Sequence, residues 1–193
     1  MTKSILIVGV GGQGTLLTGR IIGEYALSKG YDIKMSEVHG MAQRGGSVVM
    51  QIKYGTTIYS PLIEEGEADI IFAFEKLEAL RYVPFLKKDG VLIVNTQEIN
   101  PMSVVMGVEA YPKEIEKKLK ETCKRVCLID ALAMAQQLGN SRVANMIMIG
   151  AYAAYVEEPL EIWGKIVENI VPFHTKQINK EALKKGYMIY MNQ

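Results

Sequence analysis

The stretch ILIVGVGGQGTLLTGRIIGEYA, residues 5–26, is the part of the sequence that indicates the fold most clearly. An apolar run meets a cluster of glycines, and apolar residues at helical spacing follow at once. This order predicts a buried strand over 4–8, a glycine turn and a helix over 13–28. Three of the glycines fit the pattern G-x-G-x-x-G, with which a strand–turn–helix unit binds the pyrophosphate of a dinucleotide: Gly9, Gly11 and Gly14.

The glycine turn has two interpretations, and the motif does not separate them. Its exposed N–H groups and the positive end of the next helix could bind an anion, or glycine could simply allow a tight turn. A dinucleotide site also needs an acidic residue after the second strand, and Glu37 lies 28 residues after Gly9, beyond the usual spacing of about 20. The candidate anion-binding or coenzyme-binding residues are Gly9, Gly11, Gly12, Gln13 and Gly14.

Beyond the first unit, apolar strand patterns alternate with helical ones, which is typical of an α/β domain. We expect one domain over 1–193, a three-layer α/β/α fold with a mostly parallel, mixed sheet, a Rossmann-like first βα unit and a helical C-terminal third. A hairpin formed by SVVMQIKYG and the following TIYS would make the sheet mixed. Strands are predicted over 32–38, 47–54, 68–75, 90–95 and 125–130, and helices over 76–86, 112–121, 142–155, 160–170 and 176–187, with another capped by Asp130.

Composition argues against several classes of function. The net charge is +1, with 49% hydrophobic and 22% charged residues, so no global field attracts nucleic acid or a membrane surface. No apolar stretch is long enough to span a bilayer. Two cysteines do not make a disulfide framework and favour a reducing, cytoplasmic location. No metal site is expected, because the histidines, His39 and His174, have no ligand spacing around them.

A second unusual segment is EVHGMAQRGG, residues 37–46. A histidine two residues from a glutamate could move protons if the side chains converge, and an arginine could bind a phosphate or carboxylate. The alternative is a polar turn that docks against a partner chain. The candidates for this active-site-facing or interface loop are Glu37, His39, Gly40, Met41, Gln43 and Arg44.

Several blocks, in order, resemble the gamma-type domain of 2-oxoacid:ferredoxin oxidoreductases. They are GVGGQGTLLTGRIIGEYA (9–26), EVHGMAQRGGSVVMQIKYG (37–55), the long stretch from IYSPLIEEGE to DGVLIVN (58–95) and NMIMIGA (145–151). The resemblance runs through almost the whole chain. Within the family, HGMAQRGG (39–46) is similar to the indolepyruvate type.

This resemblance implies oxidative decarboxylation of an aryl pyruvate such as indolepyruvate, with transfer of the acyl group to coenzyme A and of electrons to ferredoxin. The chain lacks the Gly-Asp-Gly…Asn motif for magnesium and thiamine diphosphate, and two cysteines are too few for a [4Fe-4S] cluster. The resemblance therefore implies a small, cofactor-free subunit whose large alpha partner carries thiamine diphosphate, magnesium and clusters.

Alternatives remain open at the level of sequence. The domain could serve only to hold the shape of the large subunit, with its glycines making a turn. It could instead be a nucleotide-binding protein or a stand-alone NAD(P)-linked oxidoreductase, although no hydride-transfer constellation accompanies the glycine turn. Self-association of the isolated chain is also open.

Overall fold

The computed structural model describes residues 2–40 and 46–192. Its strands are β1 (Lys3–Val10), β2 (Asp32–His39), β3 (Ser47–Gly55), β4 (Ala68–Ala73), β5 (Leu86–Asn95) and β6 (Arg125–Ile129). Its helices are α1 (Thr15–Ser28), α2 (Lys76–Tyr82), α3 (Met102–Val105), α4 (Ile115–Thr122), α5 (Ala131–Gln137), α6 (Ala144–Tyr155), α7 (Leu160–Ile170) and α8 (Lys176–Met191). None of these helices is both long and apolar enough to cross a bilayer.

The strands form one six-stranded sheet in the order β2-β3-β1-β4-β5-β6. Strands β1, β4, β5 and β6 are parallel neighbours, whereas β3 runs antiparallel to both β1 and β2. The expected mixed, mostly parallel sheet is confirmed. Because β3 is reversed, its first residue lies at the same edge of the sheet as the last residues of β1 and β2.

Both faces of the sheet are covered, and alternation along β1 shows how. Ile5 and Ile7 point into a core with α1, α6, α7 and α8. Leu6 and Val8 point to the other face, into a second core with α2 and α4. Side chains of successive strand residues face opposite sides, so a continuous apolar run is what a strand buried between two helical layers requires. The predicted three-layer architecture is therefore confirmed.

The predicted hairpin after β3 is wrong in its second strand. Residues 57–60 are not a strand, and β3 pairs with β1 and β2 instead. The backbone N–H of Ile58 donates to Asp32 Oδ2 at 2.8 Å. The chain is thus folded over the start of β2, with Ile58 buried and Tyr59 93% exposed. The carboxylate of Asp32 thus accepts the hydrogen bond that the N–H of Ile58 would have donated to a neighbouring strand.

Helix boundaries differ from the predictions where the backbone prevents helical geometry. Helix α1 starts at Thr15 rather than residue 13 because Gly14 is left-handed, with φ of 85°. Helix α4 starts at Ile115 rather than 112 because Glu114 has φ of 59°. Helix α2 ends at Tyr82 rather than residue 86, because a short 3₁₀ turn over Val83–Phe85 follows and its Pro84 lacks the N–H that a continuing helix needs. The short helix α3 has no counterpart among the predictions.

Helices α6 and α8 pack backbone against backbone at two glycines. A Cβ on Gly150 would lie 2.0 Å from the carbonyl oxygen of Leu183, and one on Gly186 would lie 1.8 Å from that of Ile147. Neither contact can be relieved by turning a side chain, since both involve main-chain atoms. This close approach places α6, buried along most of its length, against the sheet.

Candidate functional site

The glycine turn between β1 and α1 is held by main-chain and side-chain hydrogen bonds. Gly12 and Gly14 both have positive φ, 99° and 85°, a conformation that L side chains rarely adopt. The N–H of Gly11 donates to the carbonyl of Gly46 at 3.0 Å. A Cβ on Gly9 would meet Phe74 Cβ at 3.0 Å. The glycines therefore have structural reasons to be present, whatever they bind.

Gln13 fixes the turn to the neighbouring strands. Its Oε1 accepts a hydrogen bond from the N–H of Val10 at 2.8 Å. Its Nε2 donates to the carbonyl of Phe74 at 2.8 Å and to Gln97 Oε1 at 3.1 Å. One side chain thus connects the carboxyl ends of β1, β4 and β5.

Asn95, the last residue of β5, extends this network while being 1% exposed. Its Nδ2 donates to Phe74 O at 3.1 Å and to Gln97 Oε1 at 3.3 Å. Its Oδ1 accepts from the N–H of Ala131 at 3.1 Å, at the start of α5. The polar groups at this edge are well satisfied, which rigidifies the floor of the adjoining space.

A cleft of about 400 Å³ opens above this floor. It lies outside the carboxyl ends of the parallel strands, the place where open α/β sheets bind ligands. Its lining comes from three parts of the chain. They are the turn and α1 (Gly12, Gln13, Gly14 and Leu17), the strand ends (Phe74, Asn95 and Gln97) and the helices beyond (Leu132, Ser141, Arg142, Ala144 and Asn145).

Hydrogen-bond donors that have no acceptor among the described residues lie in or beside the lining of this cleft. Helix α1 has no side-chain cap and no acidic residue in its first turn. Within the described residues, no acceptor takes the first-turn N–H groups of residues 15–17. Asn145 is 4% exposed, and its Nδ2 has no acceptor in the described chain, while its Oδ1 accepts from Met146 N at 2.9 Å. Arg142 forms no ion pair there either. Such a set of donors suits an anion.

The strand order bears on the dinucleotide alternative. A dinucleotide-binding sheet places its second strand beside the first, whereas here β3 lies between β1 and β2. Glu37 pairs with Met50 of β3 on the edge strand, so its backbone is about 10 Å from β1, two strand spacings away. Glu37, the acidic residue that the dinucleotide alternative needs to hold a ribose, is therefore not adjacent to the glycine turn.

The second candidate loop is only partly described. Glu37 and His39 lie on β2, and the N–H of Gly40 donates to Ser47 O at 3.2 Å. Within the described residues, no hydrogen bond joins Glu37 to His39. The predictions made for Met41, Gln43 and Arg44 lie outside the described residues.

Arg142, Gln97 and Asn145 line the cleft but are not among the candidate site residues predicted from the sequence. The signal for Asn145 was present, a lone amide in the apolar run NMIMIGA. Arg142 and Gln97 lie in connections, where no periodicity marks them. Among residues 2–40 and 46–192, no three histidine, cysteine, aspartate or glutamate residues are grouped so that they could hold a metal ion.

Two buried carboxylates lie on the other side of the turn, on and before α2. Glu75 accepts hydrogen bonds from the N–H of Glu78 at 2.9 Å and from the Tyr111 hydroxyl. Burial and the Glu75 carboxylate raise the pKa of Tyr111, so the phenol stays protonated. Glu78 accepts from Ser47 Oγ at 2.5 Å and pairs with Arg81. These acids have partners and serve to hold the start of β3 and the entry to α4.

The chain is similar to known proteins over almost its whole length. The family model described as pyruvate ferredoxin/flavodoxin oxidoreductase matches residues 4–189. The indolepyruvate oxidoreductase subunit IorB of Thermococcus kodakarensis is 38% identical over 188 residues, covering 95% of this chain and 93% of that protein.

Solved structures share the fold. The keto/oxoacid ferredoxin oxidoreductase gamma subunit of Geobacter sulfurreducens matches with a TM-score of 0.73 at 23% identity, covering 99% of both chains. A 2-oxoglutarate:ferredoxin oxidoreductase from Magnetococcus marinus, solved with 2-oxoglutarate, coenzyme A and succinyl-CoA bound, matches with a TM-score of 0.76 at 16% identity. That match covers 100% of this chain and 31% of the other, so the same fold also occurs as part of a longer chain.

Proposed function

Because the chain belongs to the pyruvate ferredoxin/flavodoxin oxidoreductase family, we propose that it is the small subunit of an indolepyruvate-type 2-oxoacid:ferredoxin oxidoreductase. The observation that carries this proposal is the 38% identity to an IorB subunit across 95% of the chain. The overall reaction would convert an aryl pyruvate, coenzyme A and oxidised ferredoxin to the acyl-CoA, carbon dioxide and reduced ferredoxin.

The redox and decarboxylation chemistry would reside on a larger partner. A [4Fe-4S] cluster takes four thiolates, and this chain has two cysteines, Cys123 and Cys127, which lie in cores on opposite faces of the sheet. The residues present therefore do not fit a cluster. Thiamine diphosphate, magnesium and the clusters are assigned to the partner, and ferredoxin would meet the complex through it.

The contribution of this chain would be to bind an anion in the cleft at the carboxyl edge. The free N–H groups at the start of α1, Asn145 Nδ2 and Arg142 are donors, and the donors are not matched by a nearby carboxylate in the lining. A phosphate of coenzyme A or the carboxylate of the 2-oxoacid has the charge and acceptor geometry that such donors recognise. The glycines at 12 and 14 let the ligand approach main-chain atoms closely.

Reconstitution tests the proposed activity. The chain is co-expressed with a large subunit that carries thiamine and ferredoxin-type cysteine motifs, and reduction of ferredoxin is followed with indolepyruvate, pyruvate and 2-oxoglutarate. We expect a stable complex whose kcat/KM is highest for indolepyruvate, and neither subunit alone should turn over. A preference for pyruvate or 2-oxoglutarate would overturn the substrate assignment. An active monomer that uses NAD would overturn the subunit assignment.

A further inference from the structure

A second cavity, of about 320 Å³, lies at the opposite edge of the sheet. Its lining contains the starts of β1 and β2, the end of β3 and the end of α6. The volume is at the lower end of the range of about 300–1,000 Å³ for ligand pockets. The residues around it are Lys3, Tyr25, Tyr31, Tyr54, Ile70, Tyr155, Val156 and Glu157.

Four tyrosines line part of the wall: Tyr25, Tyr31, Tyr54 and Tyr155. Tyr31 packs against Tyr54 with ring centroids 5.6 Å apart, and Tyr25 stacks on Trp163 at 4.3 Å. Ring faces and edges of this kind favour an aromatic guest, which stacks in an offset or edge-to-face manner. Burial raises the pKa of the hydroxyls of Tyr25 and Tyr54, so both remain uncharged and the wall carries no phenolate.

The charges at the cavity are of opposite sign and unmatched. Nearby carboxylates are already used, since Glu158 pairs with Lys29 at 2.7 Å and Asp69 with Lys87 at 2.7 Å. Lys3 and Glu157 also line the cavity or its rim, and neither forms an ion pair within the described part of the chain. A ligand with only a carboxylate or only an amine would leave either Glu157 or Lys3 without an opposite charge.

Glu157 is also held in an unusual conformation. Its φ is 57°, a left-handed geometry usually taken by glycine at the end of a helix. The N–H of Glu157 donates to Ala154 O at 3.1 Å, which closes the end of α6. Glycine would fit this position with less strain, and the glutamate found there lines the cavity.

We propose that this cavity is a binding site for a free aromatic amino acid, with the ring among the tyrosines, the carboxylate at Lys3 and the ammonium group at Glu157. The site is distinct from the cleft at the carboxyl edge, and binding there does not depend on the activity proposed above, whereas a sensing role rests on that activity. An aromatic amino acid is the transamination counterpart of an aryl pyruvate. A complex that consumes the oxoacid could therefore sense its amino acid counterpart here.

L-Phenylalanine is the probe, because the chain has a single tryptophan and Trp163 stacks on Tyr25 in the cavity wall. Titration of the full chain should give a saturable change in Trp163 fluorescence at millimolar ligand or below, with a matching calorimetric isotherm. Phenylacetate and phenethylamine, which each keep one charge, should bind more weakly. Absence of saturable binding by both methods would overturn the proposal.

Charge-specific variants make the test sharper. Lys3→Met should weaken L-phenylalanine binding about tenfold or more and leave phenethylamine unaffected, while Glu157→Gln should weaken L-phenylalanine and leave phenylacetate unaffected. Lys117→Met, at an exposed lysine of α4 with no ion pair among the described residues, is the matched control. Circular dichroism verifies that each variant is folded. Equal binding by folded variants and the control would contradict the assigned charges.

Discussion

Gln13 shows how one side chain can hold the strand ends around a cleft in place. It satisfies the N–H of Val10 and two oxygens from neighbouring strand ends, those of Phe74 and Gln97. Asn95 Nδ2 donates to the same two oxygens, so Gln13 gives each of them a second donor on the side of the glycine turn. An amide suits this position because it is a donor and an acceptor at once.

Gln13→Glu should therefore destabilise the fold. A carboxylate keeps the bond from Val10 but faces the two oxygens without a donor, which costs about 1–3 kcal/mol. Because those oxygens favour the protonated acid, the loss should shrink as the pH falls. Urea unfolding at two pH values measures both effects. Gln137→Glu is the control, since Gln137 is exposed and accepts from Lys185 Nζ. Equal stability of the Gln13 variant and the wild type would contradict the bridging role.

The anion-binding proposal is tested at Gly12, whose position is open to space and has φ of 99°. Gly12→Asp and Gly12→Asn have the same shape and both tolerate left-handed geometry, but only aspartate places a negative charge at the start of α1. In the reconstituted complex we expect aspartate to raise the KM for coenzyme A about fivefold more than asparagine, which corresponds to roughly 1 kcal/mol. Identical kinetics for the two variants would mean that the turn binds no anion of coenzyme A.

At the level of elements, the contact between α6 and α8 depends on two glycines. Substitution at either inserts a methyl group where a carbonyl oxygen lies about 2 Å away, and helices cannot separate without opening the core on that face of the sheet.

Gly150→Ala should cost about 2–3 kcal/mol or more, because overpacking against main chain outweighs the gain in helix propensity. Gly164→Ala is the control within the same helical layer. Its added Cβ would meet only the end of the Lys180 side chain, at 3.8 Å, so we expect no loss, or a gain of up to about 1 kcal/mol. Thermal and urea unfolding measure both. A similar loss for both variants would show that helical glycines are sensitive here for a reason other than close approach.

Elements with a clear period were predictable, and those decided by distant contacts were not. Helix α7 was predicted with its observed bounds because its apolar face repeats at helical spacing and a proline precedes it. The strand proposed over 57–60 failed because Asp32, far away in sequence, takes the N–H of Ile58. The strand–turn–helix order predicted one part of the cleft, the glycine turn. It did not predict that Arg142 and Gln97 line the cleft, since only the folded chain brings them to the turn.

At the scale of the whole molecule, two hydrophobic cores lie on opposite faces of one sheet. We therefore expect both cores to unfold together. Trp163 lies in the core with α1 and α7, and Cys123 lies in the core with α4. Burial raises the pKa of the Cys123 thiol, which should make it slow to alkylate while the protein is folded.

We expect the chain to unfold as one domain, with one transition for both probes. In a Cys127→Ala background, where Cys123 is the only thiol, urea should change Trp163 fluorescence and expose Cys123 to alkylation with the same midpoint. Far-ultraviolet circular dichroism should follow the same curve. Two separated midpoints would instead show that each face of the sheet unfolds independently.

The reversed strand β3 also has a consequence for how such a protein can be altered. The segment 41–45 joins β2 to β3, and two main-chain bonds hold its flanks, Gly40 N–H to Ser47 O and Gly11 N–H to Gly46 O. Bonds of this kind do not depend on which side chains are present. We therefore expect that the sequence of 41–45 can be replaced by that of a relative without loss of these two flanking hydrogen bonds.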